Sequence, residues 1–136
     1  MSIFFDTNIL VYCTDNTNPL KQSLARQLVT QTSHAGNGWL STQVMIELFN
    51  VLTRKQQIPA LVARDVVLSY GAWQIVDSDL DLVSSAIETS VQRQLSIWDA
   101  MVVEAALRCG AQSLYTEDLN HGQRFGALTV VNPFQL

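Results

Sequence analysis

With 136 residues and 48% apolar content, the chain is long enough for one well-filled core, and a single domain over residues 1–136 is expected. Its net charge of −4 excludes a general nucleic-acid coat, which needs a basic face to displace counterions, but not a site where carboxylates are filled by cations. Cys13 and Cys109 lack metal-type spacing, no window approaches the roughly 18 apolar residues of a membrane span, and no leader pattern precedes Asp6, so a soluble, unprocessed, cytoplasmic protein is expected, with no membrane partner.

Residues 2 to 6 read as a short strand whose adjacent Ile3, Phe4 and Phe5 are all apolar, the pattern of a strand buried on both faces of a parallel sheet. A short apolar helix follows through Leu10, Val11 and Tyr12. The segment DNTNP then turns the chain, with Asn18 as the cap of the next helix and Pro19 at its first position. Leu20, Leu24 and Leu28 form an i, i+4, i+8 stripe along that helix to about Thr32. NGWLS is a turn and brief strand, followed by an apolar helix from about Thr42 to Gln56. Ile58 and Pro59 open another helix to about Gly71, and WQIV is a third strand.

Ser78 and Asp81 have capping-box spacing for a helix to about Gln94, and Ser96 and Asp99 repeat it for a helix ending near Gly110. SLYT is a fourth strand and LTVV a possible fifth. Strands alternating with helices predict a three-layer α/β fold with a mostly parallel sheet of four or five strands flanked by helices.

Most of the 12 acidic residues have ordinary surface explanations: Asp79 and Asp81 in a first helical turn, Asp15 in a turn, Asp65 and Glu88 on helix faces. Four stand apart. Asp6 ends the first strand, at the sheet edge where open α/β folds bind ligands, though a helix cap explains it equally. Asp118 ends the fourth strand in LYTEDLNHG, where a turn aspartate is the alternative. Glu47 lies in VMIELFNVL, apolar but for Glu47 and Asn50, where a carboxylate is costly unless it reaches solvent, pairs with a base such as Arg54, or serves a site. Asp99 fits the capping box, yet it opens a helix of Ala100, Met101, Val102 and Val103 and so lies near a buried helix start.

If the four converge, repulsion sets the chemistry: two charges about 5 Å apart cost roughly 1 to 3 kcal/mol, and four make several such pairs. Hard oxygen donors without nearby His or Cys favour Mg²⁺ or Mn²⁺, and one or two such ions suit displacement at phosphorus. His34 and His121 are expected at the surface, and Trp39, Trp73 and Trp98 in the core.

The segments FDTNILVY, STQVMIELFNVL, LSIWDAMVVEAA and LYTEDLNHG, in that order, resemble the PIN domain, and within it the VapC-type ribonuclease toxins of toxin–antitoxin pairs. The resemblance covers nearly the whole chain. It implies a sheet of order 3-2-1-4-5, Asp6, Glu47, Asp99 and Asp118 as catalytic metal ligands, and Asn8 and Thr116 as their polar supports. It further implies RNA hydrolysis by water activated at Mg²⁺ or Mn²⁺, an antitoxin partner and a homodimer. Arg54, Lys55, Arg93 and Arg124 are candidate phosphate contacts, and Thr7 is the expected cap in place of Asp6. Glu117 is an outside candidate beside Asp118. Glu104, about 140° around the helix from Asp99, is not.

Alternatives are a catalytically silent PIN-like module that binds RNA or protein, and an α/β phosphotransfer protein. The second lacks the D-x-D that a haloacid-dehalogenase-like phosphatase needs, because position 8 is Asn, and neither a P-loop nor a dinucleotide fingerprint occurs.

Overall fold

Ile3, Phe4 and Phe5 are all buried, as their unbroken apolar run predicts, and they form the central strand of the sheet. The computed structural model describes residues 1–135. In chain order its elements are β1 (Ile3–Phe5), α1 (Thr7–Tyr12), α2 (Pro19–Ala35), β2 (Gly38–Ser41), α3 (Thr42–Arg54), α4 (Ala60–Ser69), β3 (Gln74–Val76), α5 (Leu80–Arg93), α6 (Ile97–Arg108), β4 (Ser113–Tyr115), β5 (Arg124–Phe125) and β6 (Leu128–Val131). Short 3₁₀ turns cover Tyr70–Ala72 and Pro133–Gln135. Among the described residues no helix is long and apolar enough to cross a membrane.

The sheet runs β3-β2-β1-β4-β6-β5, parallel throughout except for the β5–β6 pair. The expected fifth strand, LTVV, is β6 and lies beside β4 as the 3-2-1-4-5 order implied; β5 is an additional edge strand that turns back on it. Two residues carry no readable periodicity, which is why β5 leaves no trace in the sequence. From β1 the chain passes to β2 on one side, while β4 lies on the other, so the carboxyl ends of β1 and β4 flank a crevice where the winding reverses.

The helices cover the sheet with a core drawn from β1, β2, β4, β6, α3 and α6. In α6, Ala100, Met101, Val102, Val103, Ala105 and Ala106 are all buried, so this helix packs on nearly every side. Gly38 allows β2 to pass Trp73: a Cβ there would lie 2.6 Å from the indole and 2.7 Å from Thr32.

Three local readings are corrected. Leu20 is exposed and α2 buries Ala25 and Thr32, so of the predicted stripe Leu28 is the leucine that packs, partly buried, against the core. The cap of α5 is Asp79, which accepts from the Leu82 amide at 2.9 Å; Ser78 instead bonds Thr42. At α1 the cap is Asp6 and not Thr7, for Asp6 Oδ1 accepts the Thr7 amide at 2.7 Å. The Asn18 cap of α2 and the Ser96 cap of α6, which accepts from the Asp99 amide at 3.1 Å, are as expected.

Candidate metal centre

Parallel pairing of Phe5 with Tyr115 sets Asp6 and Thr116 beside each other where β1 and β4 end. Thr116 is fully buried, and its hydroxyl donates to Asp6 Oδ2 at 2.8 Å while accepting the Asp118 amide at 3.1 Å. Asn8, in the first turn of α1, spreads its Nδ2 group over Asp118 Oδ2 (2.9 Å), Thr116 Oγ1 (3.1 Å) and Asp6 Oδ2 (3.3 Å). Its Oδ1 accepts the Glu117 amide at 3.3 Å. One amide side chain thus ties the β1 end to the loop after β4, and Asp118 lies in that loop, beyond the strand proper.

Asp6, Asp99 and Asp118 each offer a carboxylate oxygen, and these oxygens lie within 4.8 Å of one another. Asp99 arrives from the first turn of α6, where the Ser96 cap fixes the helix start. Glu47, in the second turn of α3, stands outside this closest group. Its Oε1 accepts from Gln43 Nε2 at 2.7 Å, and its Oε2 from the Thr7 hydroxyl at 3.1 Å. These two donors, and not Arg54, compensate the carboxylate that α3 carries.

Burial pushes the Asp6 carboxyl up to about 7, against the pull of its bonds from Thr116 and Thr7; the charges of Asp118 and Glu47 add to the rise. Asp99 is raised as well, first by burial and then by the same two neighbours. Like charges gathered in a half-buried crevice call for a proton or a cation. Three carboxylates from separate parts of the chain, without a thiol or imidazole among them, fit a hard divalent cation.

Glu117 points away from the cluster. It accepts from Tyr12 Oη at 2.5 Å and from Lys21 Nζ at 2.9 Å, and the Lys21 ammonium also lies 4.8 Å from the Tyr12 ring centre. Tyr12, Lys55 and Glu117 line a groove of about 360 Å³ that opens over Asp6, Glu47 and Asp118. Among the candidate phosphate contacts only Lys55 lines this groove; Arg93 stacks on Phe125 at 4.6 Å and belongs to the β5 edge. His121 is exposed and accepts the Asn132 amide through Nδ1. Sequence reasoning missed the roles of Gln43 and Thr7. The i, i+4 spacing of Gln43 and Glu47 was the available signal for the first; a contact between α1 and α3 left none for the second.

The chain resembles solved structures along most of its length. VapC20 of Mycobacterium tuberculosis, a toxin that cleaves the sarcin–ricin loop, has a TM-score of 0.70 at 24% identity, over 86% of this chain and 90% of that one. A chain of a toxin–antitoxin complex from Klebsiella pneumoniae gives 0.70 at 18% identity, over 97% and 98%. A chain of VapBC2 from Rickettsia felis, bound to a promoter DNA fragment, gives 0.61 at 19% identity, over 96% and 97%. At these identities the likeness concerns the fold. No curated protein matches the sequence significantly. The PIN domain model matches residues 3–124, and the chain therefore belongs to the PIN-domain family.

Proposed function

We propose that this protein is a divalent-cation-dependent ribonuclease, and the toxin of a toxin–antitoxin pair. The observation that carries the reading is the meeting of Asp6, Asp99 and Asp118 within 4.8 Å, at the switch point of a PIN-family sheet, with Glu47 braced beside them. Asp6, Glu47, Asp99 and Asp118 would hold Mg²⁺ or Mn²⁺, one or two ions. When bound, such an ion supplies the charge neutralisation and the activation of water that phosphodiester hydrolysis needs.

The chain's own part is orientation. Thr116 and the Thr7 amide fix both oxygens of Asp6, Asn8 aims Asp118, and Gln43 with Thr7 holds Glu47 at the edge of the crevice. Donors that direct carboxylates in this way set both their geometry and their affinity. Lys55 lines the groove wall and would supply a cation to an RNA phosphate there.

A protein partner fits the far side of α3. Met45, Ile46, Phe49, Val67 and Leu68 line an apolar groove of about 480 Å³ between α3 and α4, with Ile46 and Leu68 largely exposed. Such a face suits an apolar segment of an antitoxin or a second copy of the chain. The toxin–antitoxin complexes among the similar structures support this partner class.

The test is incubation of purified protein with total RNA and Mg²⁺ or Mn²⁺, with and without chelator, beside Asp6→Asn. Cleavage confined to the wild type with metal, leaving 5′-phosphate and 3′-hydroxyl ends, is expected. Equal cleavage in every lane would indicate a contaminant, and no cleavage of any RNA would favour a silent binding module.

A further inference from the structure

Large aromatic side chains ordinarily hide their surface, since each takes about 150–250 Å² out of water. Trp39 and Trp73 pack against the core, but Trp98 takes no part in it and is 63% exposed. The sequence expectation of three core tryptophans therefore fails at the one next to the acidic cluster. Trp98 immediately precedes Asp99, so the two Cα atoms are about 3.8 Å apart.

The indole forms one wall of a groove of about 890 Å³, whose opposite wall on α3 includes Gln43, Ile46, Glu47, Phe49 and Asn50. Glu47 borders this groove and also the one over Asp6 and Asp118, so the two adjoin across a single carboxylate. Ile46 and Phe49 face two different surroundings. Toward α4 their neighbours are Met45, Val67 and Leu68, whereas toward α6 they are the amides of Gln43 and Asn50, a carboxylate and the indole. The first set suits an aliphatic protein segment. The second, a flat aromatic facing amides that both donate and accept, is the chemistry that holds an unstacked nucleobase by its face and reads its edge.

We propose that Trp98 is a stacking platform for a base of single-stranded RNA adjacent to the phosphate at the acidic cluster, and hence a residue that sets the preference for unpaired over duplex RNA. The proposal rests on the ribonuclease reading above. A phosphate over Asp99 brings a neighbouring base within reach of the residue before it, Trp98, and the groove beyond Glu47 gives that base room. Stacking on an exposed indole requires unpaired RNA, so duplex RNA is expected to be a poor substrate.

The test uses a short fluorescein-labelled single-stranded RNA of mixed sequence. Binding is followed by anisotropy in chelator, cleavage kinetics in Mn²⁺, and molecular mass by sedimentation, for wild type, Trp98→Phe, Trp98→Leu and Trp98→Ala. Loss of one base stack weakens binding on the order of tenfold. That loss is expected for Leu and Ala, with a matching rise in KM, a nearly unchanged kcat and an unchanged mass, while Phe retains most of the affinity. Leu separates aromatic stacking from mere apolar contact.

Equal affinity and KM in all four proteins would overturn the stacking role and leave the nuclease reading intact. Weakening that accompanies a fall in mass would overturn it too, assigning the indole to contact between copies. RNA bound but not cleaved by the wild type would remove the nuclease reading alone, with Trp98 then judged on binding. A wild type that neither binds nor cleaves RNA would remove both.

Discussion

The Thr7 hydroxyl donates to Glu47 Oε2 at 3.1 Å, joining the residue after the first strand-end aspartate to the carboxylate of α3. The same residue's amide caps into Asp6 Oδ1. Thr7 therefore couples two acids that are 41 positions apart in the chain (47 − 6). Thr7→Val keeps the amide bond and removes the hydroxyl. Metal affinity measured by calorimetry is expected to fall on the order of tenfold, with Thr7→Ser near wild type.

Asp6 ties stability to pH. Unfolded, its carboxyl ionises near the ordinary value of 3.8; folded and free of metal, it keeps its proton up to about 7. Between those values the folded chain holds the extra proton, so this contribution is complete below 3.8 and is lost as pH rises through about 7. Urea melts in chelator are expected to show it, with a loss on the order of 2 to 4 kcal/mol across the window. A cation competes with that proton, so Mn²⁺ affinity is expected to rise over the same range. An affinity independent of pH would place the ion away from Asp6.

Gly38 offers a packing test far from the acids. Trp73, wedged edge-on against Phe5 and Tyr70 with ring centres 5.2 and 5.3 Å away, leaves no room for a Cβ at this position. Gly38→Ala is expected to cost about 1–3 kcal/mol in a denaturant melt. Gly71→Ala meets no atom within 4 Å and is expected to stay within about 0.5 kcal/mol of wild type.

The Lys21–Glu117 pair, at 2.9 Å and partly exposed, anchors the loop that carries Asp118 to α2. Lys21→Met is expected to lower global stability by less than about 1 kcal/mol. Amide exchange in residues 116–122 is nevertheless expected to quicken, while exchange in β1 and α6 stays unchanged.

Much of this was legible from patterns that solvent and burial impose. A carboxylate in the apolar run of α3 announced Glu47, and an aspartate ending a both-faces-buried strand announced Asp6. Helix caps were less legible, because Asp6 and Thr7 satisfy the same preference and only the pairing of β1 with β4 decides between them. The same holds at Ser78 and Asp79, where a tertiary bond to Thr42 engages the serine and Asp79 caps the helix. Trp98 was misread because burial statistics describe the average indole, and this one lies beside the acidic crevice.

The proposed activity requires that these acids hold a cation. Titration of Mn²⁺ into the purified protein by calorimetry above pH 7, beside Asp99→Asn and Asp118→Asn, measures that directly. Saturable binding by the wild type, strongly weakened in both variants, is the expected result. No binding by the wild type, or equal affinity in all three proteins, would contradict it.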